Sequence, residues 1–183
     1  FAIAYKSVIG YRTGLAVPAT QPTEQDALRA AASWMRAKNG RLTDPVLLAW
    51  LVHEAAQAGI ERGLPLQFHT GFGDADLTLS SVDPVLLSDF LRAVPVPVVL
   101  LHCYPYHRNA AYLAHVFDHV SGDTGLTIPF VGARAPQVLA EILELAPFDA
   151  VLYSSDGNML PELHHLGAVL WRRAVNKLTD EWL

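Results

Sequence analysis

The sequence predicts an α/β fold built on a parallel β-sheet. Five apolar, strand-like runs alternate along the chain with segments of helical periodicity, which is the pattern of repeated βα units. The run at residues 96–102 is almost continuously apolar, as expected for a strand that is covered on both faces. A length of 183 residues suits one domain, and we expect residues 1–183 to form a single domain.

Turn residues and helix caps set the expected order of elements. Asp44-Pro45 and Asp83-Pro84 each place a capping Asp before a Pro that fits the first helical turn, and Gly63 is expected to end the second helix. The strands are predicted at residues 2–11, 66–69, 96–102, 120–124 and 148–155. The helices are predicted at residues 23–38, stopped by Asn39-Gly40, and then at 45–62, 84–91, 110–116, 136–145 and 161–177.

Composition excludes several classes of protein. Hydrophobic residues make up 51% of the chain and charged residues 17%, so the chain is not disordered. With 13 basic against 18 acidic side chains and no Lys/Arg cluster, we expect no nucleic-acid partner. No apolar stretch approaches the ~20 residues that cross a bilayer, so we expect no membrane partner. The single cysteine, Cys103, favours a reducing, cytoplasmic location.

The chain begins at Phe1, within a strand-like run and without a starting Met or a basic leader. We therefore expect the sequence to be the later part of a longer protein.

Three polar side chains stand where strand-like runs give way to loops: His69, His102 and Asp156. The carboxyl ends of parallel strands meet at one edge of a sheet, so these side chains are expected to lie together. Two neutral imidazoles and a carboxylate form a site for zinc or a similar divalent ion. Taken singly, each is also explained as a hydrogen-bonded core histidine or a turn-forming Asp, but their repetition at strand ends favours the metal site.

The first strand carries two further candidates. Lys6 lies among apolar residues, and burial would favour a neutral amine that reacts with carbon dioxide to give a carboxylated metal ligand. An interior ion pair, or an edge-strand lysine that reaches solvent, explains Lys6 slightly better. Arg12 ends the same strand and suits a substrate carboxylate, with an outward-facing salt bridge as the alternative.

Loops next to the histidines are candidates for substrate contact. Tyr104, His107 and Arg108 crowd directly behind His102, although Tyr and Arg also serve as ordinary helix caps. The glycine-bearing loop at residues 72–82 follows His69 and is expected to act as a lid. Cys103 is discounted as a nucleophile, because its side chain should point away from that of its strand neighbour.

Three strings of the sequence resemble the amidohydrolase superfamily: residues 67–71 (Gln-Phe-His-Thr-Gly), 101–108 (Leu-His-Cys-Tyr-Pro-Tyr-His-Arg) and 152–156 (Leu-Tyr-Ser-Ser-Asp). The nearest resemblance is to the amidohydrolase-like domains that are sometimes fused to a glutamine synthetase-like domain. It implies a (β/α)8 TIM barrel, of which this chain supplies about the last five β/α units. It also implies that His69, His102 and Asp156 lie on strands five, six and eight of that barrel. Lys6 falls on strand four, where binuclear members carry a carboxylated lysine.

One departure from the family pattern stands out. The His-x-His pair of the first barrel strand is absent, and so are the first three strands. Those residues are expected upstream of this chain; otherwise the chain cannot hold the metal in the family manner.

The residues and the resemblance together predict a metal-dependent hydrolase that cleaves a C–N bond of a small polar substrate, with zinc as the expected divalent metal. Asp156 is expected to take a proton from water and pass it to the leaving amine. His102 is expected to bind a second metal or to polarise the scissile carbonyl.

Two other functions remain open: a decarboxylase on the same framework, and a non-catalytic regulatory domain that has lost its metal. An open doubly wound sheet is the alternative fold, since five units need not close. We expect a small-molecule substrate and leave open the association of the protein into a homo-oligomer.

Overall fold

The computed structural model describes residues 2–37 and 40–182. Within them, five strands form one parallel sheet in which each strand pairs with its neighbours in sequence. The strands are β1 (Tyr5–Ser7), β2 (Leu66–His69), β3 (Val98–Leu101), β4 (Val120–Asp123) and β5 (Val151–Leu152). This order confirms the predicted α/β class with consecutive βα units.

Helices connect the strands. They are α1 (Glu24–Ala37), α2 (Pro45–Arg62), α3 (Ser88–Ala93), α4 (His107–Val116), α5 (Thr127–Val131), α6 (Ala135–Leu143) and α7 (Pro161–Trp182). Helix α2 has the predicted caps: the Asp44 carboxylate accepts hydrogen bonds from the backbone N–H groups of Val46 and Leu47. Gly63 ends the helix at φ 63°, a left-handed conformation that glycine adopts without strain.

The main hydrophobic core lies on one face of the sheet. Leu66, Phe68 and Leu100 are fully buried there, in one cluster with Phe90 of α3. Side chains alternate across a strand, so Lys6 and its register partners project from the other face: Lys6 aligns with Gln67, Gln67 with Val99, and Val99 with Ser121. These four side chains are half-buried or exposed. The sheet of the described residues therefore has one covered face and one open face.

Several elements differ from the predicted ones. Residues 9–11, expected in the first strand, form a 3-10 turn, and the last strand is cut to two residues by a similar turn at Phe148–Ala150. Both strands are edge strands here, so only one side of each can pair. Helix α5 was not predicted, because five residues with Pro129 among them give no helical periodicity. The predictions at Phe1, Lys38 and Asn39 lie outside the described residues.

None of the helices in the described parts of the chain is long and apolar enough to cross a membrane.

Candidate metal centre

A cavity of about 710 Å³ opens at the carboxyl ends of the strands. His69 is the last residue of β2, His102 follows β3 directly, and Asp156 comes shortly after β5. All three line the cavity, together with Lys6 and Arg12. The structure thus brings five of the sequence-predicted site residues to one place, as expected when parallel strands end at a common edge.

His69 is the most deeply enclosed of these groups. Its side chain is 6% exposed, and its Nε2 atom is buried without a hydrogen-bond partner among the described residues. Its ring centroid lies 4.6 Å from that of His102 and 4.6 Å from that of Tyr11. Burial, and then the nearby His102 and Lys6, lower the pKa of His69 to about 4. At neutral pH the ring is uncharged, and its unpartnered Nε2 suits a metal ligand.

His102 is held in the tautomer that a metal ligand needs. Its Nδ1 atom lies 3.1 Å from the Gly125 carbonyl oxygen, which can only accept a hydrogen bond. In the neutral ring Nδ1 therefore carries the proton, which leaves the lone pair on Nε2. That Nε2 atom lies 3.7 Å from Oδ2 of Asp156. Two ligands of a tetrahedral zinc ion lie about 3.4 Å apart, so this pair is close to the spacing that a shared ion requires.

Asp123, which sequence reasoning missed, fixes the backbone beneath His102. Its Oδ1 atom accepts hydrogen bonds from the N–H of His102 at 3.0 Å and the N–H of Gly125 at 2.9 Å, and its Oδ2 atom accepts one from Ser154 Oγ. The side chain is only 5% exposed. One carboxylate therefore ties together the ends of β3, β4 and β5. The signal in the sequence was an acidic residue inside the strand predicted at residues 120–124.

The loop that carries Asp156 is supported from helix α7. Ser155 Oγ lies 2.7 Å from Nδ1 of His164, and a Cβ at Gly157 would lie 2.9 Å from the same ring. Asp156 itself has φ 45°, and its side chain is 45% exposed toward the cavity. His164 of α7 thus contacts the loop that carries Asp156.

Cationic side chains lie on the β1 side of the cavity. Arg41, also missed from the sequence, donates to Asp76 at 2.7 Å and to the Tyr11 carbonyl oxygen at 2.8 Å. Arg12 lines the cavity and makes no ion pair within 4.0 Å among residues 2–37 and 40–182. Lys6 is exposed on the edge strand β1, so the burial that would favour a neutral, carboxylated amine is not found among the residues that the structure describes.

None of Tyr104, His107 and Arg108, which the sequence predicts as substrate contacts, lines this cavity. Helix α4 begins at His107, which turns these side chains outward toward α6. His107 Nε2 lies 2.6 Å from Glu141, Arg108 donates two hydrogen bonds of 3.0 Å to Glu144, and the Tyr104 ring stacks on His107. They link two helices instead of facing a substrate in this cavity.

The candidate metal site is incomplete among the described residues. Among the residues that the structure describes, no group of three or more His, Cys, Asp or Glu side chains is arranged to hold a metal ion. His69, His102 and Asp156 supply donor atoms of the right chemistry on one cavity, but they do not enclose an ion by themselves.

The chain is similar in structure to two proteins of known fold. A solved structure from Lactobacillus casei ATCC 334, provisionally described as a metal-dependent hydrolase, superposes with a TM-score of 0.88 at 36% identity, over 94% of this chain and 46% of that one. Uronate isomerase from Thermotoga maritima, at 15% identity and a TM-score of 0.51 over 91% of this chain and 42% of that one, shares the fold alone. The five βα units are thus part of a (β/α)8 barrel.

The sequence of the chain matches a known family and a curated relative. Residues 9–183 match the family described as amidohydrolase. Over 196 aligned residues the chain is 38% identical to Protein fluG of Emericella nidulans, an alignment that covers 99% of this chain and 22% of that protein. The chain belongs to the amidohydrolase family, and it spans less than half the length of each of these relatives.

Proposed function

We propose that this chain supplies part of the active site of a zinc-dependent hydrolase that cleaves the C–N bond of a small substrate. The observation that carries the proposal is the placement of His69, His102 and Asp156 on one cavity at the strand ends. Two findings support the statements that the protein is an enzyme and that it uses a divalent metal. The chain belongs to the amidohydrolase family, and it is similar to a protein described as a metal-dependent hydrolase.

His69 Nε2, His102 Nε2 and the Asp156 carboxylate are the atoms that would hold the ion, with further ligands from outside this chain. When bound, zinc supplies a reactive water nucleophile at neutral pH and polarises a carbonyl group. The chain's own contribution is orientation: the Gly125 carbonyl fixes the His102 tautomer, and burial keeps His69 uncharged. Asp156 lines the cavity, which would give its carboxylate access to the reacting proton.

Asp156 would act as the general base and then as the acid toward the leaving amine. Its exposed carboxylate lies at the cavity surface and beside His102, so it can reach both a water molecule and a bound substrate. Arg12, on the same cavity, would bind a substrate carboxylate through its planar guanidinium group.

The test uses the complete protein that contains this chain, with zinc content measured by plasma mass spectrometry. His69→Asn and His102→Asn should each lower the bound zinc, while His115→Asn, a matched change at an exposed histidine of α4, should not. Unchanged zinc in both site variants would contradict the proposal.

Catalysis is tested separately, by release of amine from a panel of N-acyl compounds. Asp156→Asn should lower kcat by about 10²–10⁴-fold, while Asp118→Asn, at an exposed position before β4, should leave it unchanged. Full turnover by Asp156→Asn would overturn the role of that carboxylate, and release of carbon dioxide in place of amine would overturn C–N cleavage.

A further inference from the structure

The cavity has an aromatic wall that the proposed chemistry does not use. Phe72, from the loop after β2, and Phe130, from α5, both line the cavity, and their ring centroids lie 5.3 Å apart at an interplanar angle of 62°. Leu126 and Pro129 extend the same wall. The aromatic wall, as we call these four residues, is continuous with the surface that carries His102 and Asp156.

Phe130 is exposed although its helix is firmly packed. The side chain is 70% exposed, whereas Thr127 and Ile128 of the same short helix are fully buried. A large aromatic side chain that protrudes from an anchored element into a cavity leaves apolar surface for a ligand to cover.

The wall is fixed to the residues of the metal centre. Thr127 Oγ1 donates to the His102 carbonyl oxygen at 2.5 Å, and the N–H of Leu126 donates to the Ser155 carbonyl oxygen at 3.2 Å. Leu126 has φ 61°, a left-handed conformation that a branched side chain rarely adopts. Helix α5 is therefore held in one orientation relative to His102 and Asp156, as a binding surface for a substrate requires.

The cavity side chains that come from the two ends of the sheet differ in polarity: those at one end are charged and the one at the other end is apolar. Lys6 and Arg12 come from β1 and the turn after it, while Phe130 comes from the connection that follows β4, three strands away. A ligand that spans the cavity would meet charged groups at one end, where Lys6 and Arg12 lie on the same cavity as Asp74 and Asp76, and the flat apolar group of Phe130 at the other.

Resting on the proposed function, we propose that the aromatic wall binds a planar apolar group of the substrate, so that the substrate class is an N-aroyl or similar aryl amide that carries a carboxylate. Phe72 and Phe130 would flank the aryl ring by edge or offset stacking, which is the geometry that aromatic pairs prefer. Arg12 would receive the carboxylate at the other end. This narrows the expected small polar substrate to an amphipathic one.

The experiment measures binding without turnover, in the metal-free complete protein, by titration calorimetry. The probes are N-benzoylglycine and N-acetylglycine, which share the carboxylate and the amide and differ in the aryl ring. The protein should bind the benzoyl compound at least about tenfold more tightly. Phe130→Ala should abolish this preference, and Phe130→Trp should retain it.

Phe148→Ala is the matched control, because Phe148 is 72% exposed but lies at the amino end of β5, outside the cavity. It should leave the preference unchanged. Equal affinity for both probes, no binding of the benzoyl probe, or an unchanged preference in Phe130→Ala would each overturn the aromatic subsite.

Failure of the subsite and failure of the proposed function give different results. If the protein neither binds zinc nor releases amine but shows a benzoyl preference that depends on Phe130, the aromatic subsite is supported and the hydrolase proposal is contradicted. If amine is released from the acetyl and benzoyl compounds at equal kcat/KM, the hydrolase proposal is supported and the aromatic subsite is contradicted.

Discussion

Removing the Asp123 carboxylate should disturb the metal centre from beneath. In Asp123→Ala the buried N–H groups of His102 and Gly125 both lose their acceptor. Each buried donor left without a partner costs about 1–3 kcal/mol, so for these two donors the free energy of unfolding should fall by about 2–6 kcal/mol. Asp123→Asn should cost only about 1–2 kcal/mol, because the amide oxygen can still accept from both N–H groups.

Two measurements test this prediction: hydrogen exchange reports the local backbone structure, and the Kd for zinc reports metal binding. In Asp123→Ala, hydrogen exchange at the amides of His102 and Gly125 should be faster, and the Kd for zinc should rise about 10–100-fold, the usual effect of losing a group that orients a metal ligand. Asp118→Ala, at an exposed position before β4, should change stability by less than about 0.5 kcal/mol. If Asp123→Ala kept its amide protection and its zinc affinity, the reasoning about this carboxylate would be refuted.

Three further predictions follow from the same region. The pKa of His69 is about 4 when folded and ordinarily 6.5, so the unfolded chain binds the extra proton between these values. The unfolding free energy of the metal-free protein should therefore fall by about 3 kcal/mol from pH 7 to pH 4, and His69→Asn should flatten this profile. Burial raises the pKa of Cys103 to about 12, so iodoacetamide at pH 8 should label it only after unfolding; rapid labelling of the native protein would contradict its burial. A Cβ at Gly125 would overlap Ser154 Oγ, so Gly125→Ala should cost about 1–3 kcal/mol in chemical unfolding, and Ser154→Ala should relieve at least half of that cost; strictly additive effects would argue against the overlap.

Local signals in the sequence were sufficient for much of the fold. Strand β2 has its predicted bounds because a short apolar run ends in a polar His69. Helix α2 begins and ends as predicted because Asp44, Pro45 and Gly63 act through hydrogen bonds and backbone angles within a few residues of themselves. The shared edge of a parallel sheet then places His69 and His102 together without any further information.

The remaining features depend on contacts between distant parts of the chain. Asp123 becomes important because His102 and Ser154, both distant from it in the sequence, fold against it. Arg108 follows His102 closely in sequence but turns away, since the start of α4 aims it at Glu144. Helix α5 depends on anchoring to His102 through Thr127, which no window of the sequence reveals.

Zinc K-edge X-ray absorption on the complete, zinc-loaded protein tests the central claim most directly. The account predicts imidazole scattering from His69 and His102, reduced in His69→Asn and in His102→Asn but not in His115→Asn. A zinc spectrum that is identical in all four proteins would show that the ion binds elsewhere, and would contradict the metal centre described above.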